Sequence, residues 1–234
     1  MNPVSAHMPP LFPWATVTGL GVSVAMLALL PAGELRRAAV GRWWAQLAVA
    51  LTTLALAMLS EAGTRGRGVS QGQLLLTYAP WKGATLPAAF GFSNPLLTDA
   101  ALQGYPWLAY TCRAFAEGRV PLWVSQSYAG APFVGPAMTA VFSPLTWAAC
   151  LVPLPWATVA LALLKMVACG LGMAALARAL GTTRPAAAVV AVAGTLNPFL
   201  IVWLENASDS AAAAAPWVLA ATVRASETPS RRAM

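Results

Sequence analysis

Charge is scarce in this chain. Only 9% of its 234 residues are charged, against about a quarter in a soluble domain, so water is the wrong solvent for most of its surface. Aspartate occurs twice, at Asp99 and Asp209, and histidine once, at His7. A lone terminal histidine excludes a Ser/His/Asp nucleophile arrangement. The three cysteines, Cys112, Cys150 and Cys169, are widely spaced and form no Cys-x-x-Cys pair, so the tight set of about four N/S ligands of a structural zinc site is absent. Cys169 sits in an apolar run and reads as core, while a bridge between Cys112 and Cys150 is left open by spacing alone. Basic residues outnumber acidic ones 14 to 7. No basic stripe interleaved with aromatics accompanies them, and no nucleic-acid motif is present, so nucleic acid is not an expected partner. The segment Gly63-Thr64-Arg65-Gly66-Arg67-Gly68 lacks the Lys-Ser/Thr of a phosphate loop and reads as a flexible connection.

What the chain does have is long apolar runs, with 59% hydrophobic residues and a mean hydropathy of +0.66. A spanning helix needs about 20 apolar residues. Runs at 13–30, 43–59, 157–176 and 186–204 meet or approach that length, and an alanine-rich run follows at 211–223. Asn197-Pro198 should kink the fourth. The run at 137–152 is shorter and contains Pro144, which predicts an interfacial or re-entrant helix rather than a crossing one. Arginines at 36–42, 178–184 and 224–232 then all fall on one side, as cytoplasmic positive charge requires. Glu205 and Asp209 fall on the other. The expected organisation is therefore two N-terminal spans in 1–60, with an Arg-rich cytoplasmic turn. An extracytoplasmic loop at 61–136 and an interfacial or re-entrant helix in 137–156 follow. Three further hydrophobic segments occupy 157–223, and 224–234 forms a cytoplasmic tail. The fold class this predicts is all-α integral membrane, with the bilayer itself as the main partner.

The loop concentrates the chemistry. A connection this long is commonly functional, and its aromatics, with Trp81, Trp107 and Trp123 among them, suit the membrane–water interface. Asp99 has two readings: a carboxylate that accepts a substrate proton or holds a divalent cation, or the N-cap of a helix starting at Ala100. Lys165, inside an apolar helix, either neutralises a phosphate or snorkels to the nearby interface. Arg113 and Glu117, four apart, are spaced to pair on one helix face, and Arg113 is also placed to meet a lipid headgroup or pyrophosphate. Asn206-Ala207-Ser208 matches a glycosylation sequon, a pattern common by chance. Small residues at Ala168, Gly170, Gly172 and Ala174 predict close helix packing.

Several motifs in order carry a family resemblance. Tyr78-Ala-Pro80-Trp81 is followed by Asn94-Pro-Leu-Leu-Thr-Asp99, Gln103 and Tyr105-Pro-Trp107. Gly118-Arg-Val-Pro121-Leu-Trp123, Gly130-Ala-Pro132-Phe133 and Ala140-Val-Phe-Ser-Pro144-Leu come next, then Val202-Trp203-Leu-Glu205 and Ala215-Pro216-Trp217. Together they resemble the bacterial YfhO-type multi-pass membrane proteins. The resemblance implies a GT-C-like helical bundle in the bacterial cytoplasmic membrane, similar to glycosyltransferases that draw sugar from a polyprenyl-phosphate carrier at the outer face. It places Asp99 at the catalytic carboxylate, with Gln103, Tyr105, Trp107, Arg113 and Lys165 as substrate-binding candidates and a divalent cation as a candidate cofactor. Val124 and Ser125 depart from the family's Asn-Pro at that turn. Family members are also longer, so the chain resembles an N-terminal portion of one. Two rival expectations are a non-catalytic membrane component that binds lipid or a partner, and a transporter.

Overall fold

The computed structural model describes residues 37–59, Pro80, Lys82, 98–127, 129–206 and 208–227, and these are mostly helical. The expected span at 13–30, the Gly63–Gly68 segment and the Tyr78–Trp81 motif lie wholly or largely outside the described residues. Among the described residues two helical stretches are long and apolar enough to cross a membrane, Leu154–Ala179 and Arg184–Val202. The chain divides into two compact units, one of residues 1–67, 165–200 and 212–234 and the other of 68–164 and 201–211. Each unit gathers pieces distant in sequence.

In the first unit, α1 (Arg37–Met58), the second half of α4 (Leu154–Ala179), α5 (Arg184–Thr195) and most of α7 (Ser208–Glu227) are present. Leu47, Leu51 and Ala55 recur every four residues and are all buried, which gives α1 one apolar face. Leu47 and Leu51 cluster with Ala174 and Ala191, flanked by Trp43, Trp44, Leu171 and Ala188. The approach is close because α4 presents glycines there. A methyl on Gly170 would stand 2.9 Å from both the Ala191 carbonyl oxygen and Leu51 Cδ1. A methyl on Gly172 would stand 2.7 Å from Trp217 Nε1. The indole N–H of Trp217 donates to the Ala168 carbonyl at 2.8 Å, so the small-residue stretch of α4 packs as predicted.

The helix ends are set locally. Gly181, at φ +81°, stops α4 in the left-handed conformation, and Thr182 N–H returns to the Ala177 carbonyl at 3.1 Å, a glycine-terminated helix end. Thr183 begins α5, its hydroxyl accepting from Ala186 N–H at 3.5 Å, with proline in the first turn. The helix then breaks where Asn197-Pro198 predicts. α5 ends at Thr195, Asn197 Oδ1 accepts from Phe199 N–H at 2.9 Å, and the short α6 (Pro198–Val202) restarts.

The second unit contains α2 (Tyr105–Ala116), α3 (Pro144–Ala149), the first part of α4 and a small hairpin. In the hairpin β1 (Trp123–Val124) pairs antiparallel with β2 (Ala131–Pro132), Trp123 opposite Pro132 and Val124 opposite Ala131. Phe133, 2% exposed, anchors this unit and meets Tyr110 edge-on at 4.9 Å. Tyr110 in turn donates from its hydroxyl to the Trp123 carbonyl at 2.8 Å. A disulfide joins Cys112 on α2 to Cys150 just after α3, so the bridge left open by the sequence is formed. Cys169 is buried and takes no part in a disulfide. The 137–152 segment departs from the single broken helix expected there. It is a 3-10 turn at Ala137–Thr139 followed by the six-residue α3. Pro144 starts that helix instead of interrupting it, since proline costs nothing at a first position that needs no N–H.

Candidate functional site

The helix that leads into α2 is irregular. Thr98 and Asp99 are already helical, and the next turn, Ala100–Gly104, is a π-helix in which Tyr105 N–H bonds the Ala100 carbonyl. Pro106 follows directly, and its missing N–H and its ring are incompatible with a regular ladder through this turn. One extra residue absorbs the conflict. Turns of this type recur at functional sites.

The widened turn faces the Trp203–Asn206 segment of the same unit. Asp99, Gln103 and Trp107 recur at four-residue spacing and line one narrow cleft with Ala100, Gly104, Met138, Glu205 and Asn206. A second cleft is lined by Ala100, Gly104, Tyr105, Leu108, Thr158, Leu161, Leu204 and Glu205. Glu205 therefore borders both. Gly104 is required for the approach: a methyl there would lie 3.2 Å from the Glu205 carbonyl oxygen. Its φ of −56° is ordinary, so close contact, not backbone conformation, explains the glycine. The clefts hold about 10 and 40 Å³, room for about one or two water molecules.

Asp99 does not cap a helix. It has helical dihedrals of −61° and −30°, its side chain makes no cap hydrogen bond, and the residue is exposed. The N-cap expectation fails because the helix starts before position 99, at or ahead of Thr98. Asn206 performs a capping role at α7, where its Oδ1 accepts from Ser208 N–H at 3.1 Å and from the Ser208 hydroxyl at 3.0 Å.

Arg113 is exposed on α2 and lines neither cleft. Its expected pairing with Glu117 does not form. Glu117 lies just past the helix end, at φ −84° and ψ 3°, and its carboxylate accepts from Arg119 Nε at 2.7 Å. Arg119 also sits 5.5 Å from the centre of the Tyr110 ring. Hydrogen bonding to Glu117, then to Tyr110, raises the Arg119 guanidinium above its ordinary pKa, so it is cationic throughout the physiological range.

Lys165 belongs to the first unit and is only 1% exposed. The snorkelling expectation fails with it: position 165 is eleven residues into α4, not two turns from an end, and the side chain is enclosed by protein. Asp209 in the second unit is likewise 0% exposed. Both are engaged within the protein, as buried charges require.

The structure thus brings Asp99, Gln103 and Trp107 to one cleft and Tyr105 to its neighbour. Arg113 and Lys165 border neither. Glu205 is the residue absent from the sequence-based site. Its signal was its rarity, an acid directly after the apolar Val202-Trp203-Leu204, in a chain with only 7 acidic residues. Among the described residues no three His, Cys, Asp or Glu side chains gather as a metal-binding group. Comparison of this chain with protein-family models, curated proteins and solved structures gives no match.

Proposed function

We propose that this chain is a multi-pass protein of the bacterial cytoplasmic membrane, GT-C-like in fold, that transfers sugar from a polyprenyl-phosphate donor at the outer face. The observation that carries the reading is the shared cleft of Asp99 and Glu205, with the Asp99 side chain exposed and making no cap hydrogen bond. The Cys112–Cys150 disulfide supports an extracytoplasmic position for the second unit, since such bonds persist in oxidising compartments. The two apolar helical stretches support the bilayer as its solvent. The ordered motif series from Tyr78 to Leu219 supports kinship with the YfhO-type proteins.

In this reading the Asp99 carboxylate takes the proton of the acceptor hydroxyl as its oxygen attacks the anomeric carbon. The anomeric carbon–oxygen bond to the donor phosphate breaks, and the electron pair leaves with the polyprenyl phosphate. Gln103, Tyr105 and Trp107 orient the sugar. Arg113 and Lys165, which border neither cleft, take no part at the reacting centre, and the buried Lys165 has a structural role. Two carboxylates and the Gln103 amide are hard oxygen donors that fit a divalent cation keeping several waters. The Asn206 oxygen, already accepting two hydrogen bonds, is not among them. Such an ion would neutralise charge on the departing phosphate.

The test is sugar transfer from polyprenyl-phosphate donors to lipid or cell-wall acceptors by the full chain in proteoliposomes. Asp99→Asn should lower the rate by about 10²–10⁴-fold, the usual contribution of a positioned base. An unchanged rate would remove Asp99 from the chemistry. One observation favours a second reading, a non-catalytic component that binds lipid or a partner: the two clefts are narrow and mainly apolar in lining. Lipid or partner binding with no turnover by the wild-type chain would select it. A transporter ranks last, because paired broken helices are expected there and, among the described residues, the connection at Asn197-Pro198 is the break the sequence singles out.

A further inference from the structure

Residues 120–164 hold no charged side chain at all, although this stretch includes surface loops of the second unit. A soluble surface carries both signs of charge throughout. Within it the turn around α3 exposes its largest apolar side chains: Phe142 is 64% exposed, Trp147 50% and Leu151 85%. Val152 continues the row, and α4 begins at Leu154. No polar break separates this row from an apolar helix long enough to cross a membrane.

Several polar groups of the turn are satisfied from inside, the buried Thr146 hydroxyl being the exception. The Trp147 indole N–H donates to the Val141 carbonyl at 2.6 Å, leaving the exposed ring without a donor in need of water. Backbone N–H groups of Ser143, Trp147, Cys150 and Leu151 bond carbonyls within the turn at 3.0–3.2 Å, and Pro144 and Pro153 carry none. Each N–H paired within the turn lowers the cost of entering hydrocarbon, where no water is present to accept it. The disulfide at Cys150 fixes the turn to α2. A protein partner would be expected to meet a polar rim around an apolar centre, and this segment supplies no charged residue to such a rim.

We infer that Phe142, Trp147 and Leu151 form a ridge that inserts into the acyl-chain region of the bilayer and seats the second unit on the membrane. The inference rests on the membrane reading above and adds its point of contact.

The test uses the full chain in phosphatidylcholine–phosphatidylglycerol vesicles with Cys169→Ala and the Cys112–Cys150 bridge verified by mass. Nitroxides are attached at Phe142→Cys, at Gln126→Cys as the aqueous reference and at Val189→Cys on the exposed face of α5. Collision with oxygen rather than with a water-soluble nickel chelate at 142 and 189, and the reverse at 126, is the expected result. Oxygen exposure at 189 with chelate exposure at 142 overturns the ridge while leaving the membrane reading intact. Chelate exposure at both overturns the two together. A photoreactive benzophenone residue at position 151 gives a second readout. A phospholipid adduct supports the ridge, and an adduct to another polypeptide, or solvent quenching alone, overturns it.

Discussion

Replacing Cys112 and Cys150 together by alanine should loosen the second unit selectively. The bridge spans 38 residues, for which the chain-entropy relation gives about 13 cal/mol/K, or about 4 kcal/mol at 25 °C. That is nearly three powers of ten in the ratio of open to closed forms, at about 1.4 kcal/mol per tenfold. The segment that the bridge ties to α2 is held by short elements, a six-residue helix and two-residue strands, around the buried Phe133. The first unit has its own core of Leu47, Leu51, Ala174 and Ala191 and should be unaffected. Amide hydrogen exchange in detergent resolves the two. The Phe133 amide, bonded to the Leu122 carbonyl at 2.8 Å, should exchange several hundred-fold faster in the double variant, with α1 and α5 unchanged. The reasoning is refuted if both thiols react with maleimide before reduction, or if exchange at Phe133 stays within threefold of wild type.

Three further outcomes are expected. Gly104→Val places a branched side chain where even a methyl stands 3.2 Å from the Glu205 carbonyl; overpacking of this kind costs about 1–3 kcal/mol, read as a lower thermal midpoint. Thr111→Val should stabilise by about 1 kcal/mol, because the Thr111 hydroxyl is fully buried and makes no hydrogen bond, and an orphaned donor carries its whole desolvation penalty. Denaturant titration of the two proteins would show the sign, and destabilisation would mean the hydroxyl has a role. Tyr110→Phe keeps the ring against Phe133 but deletes the bond to the Trp123 carbonyl, a loss of about 0.5–1.5 kcal/mol that should raise exchange across the hairpin.

What the sequence determined by itself is what depends on near neighbours. Apolar runs at 43–59, 157–176 and 186–204 predict helices, and the structure has them at Arg37–Met58, Leu154–Ala179 and Arg184–Val202. The break at Asn197-Pro198 and the small-residue packing of α4 were also legible, since proline's missing N–H and glycine's missing side chain act where they stand. Tertiary structure decided the rest. Position 205 meets positions 99–107 only after folding, so no spacing pointed to Glu205 as the second carboxylate of the cleft. The same holds for the pairing of Cys112 with Cys150. Glu117 turned from Arg113 to Arg119 because the helix ends one residue before it, which removes the four-residue geometry the pair required. Lys165 reads the same in any apolar helix, and only the packing of other segments around it separates a buried charge from one that reaches the surface. Periodicity reports which face of a helix is apolar, but the identity of whatever covers that face is a non-local property, settled when distant segments pack.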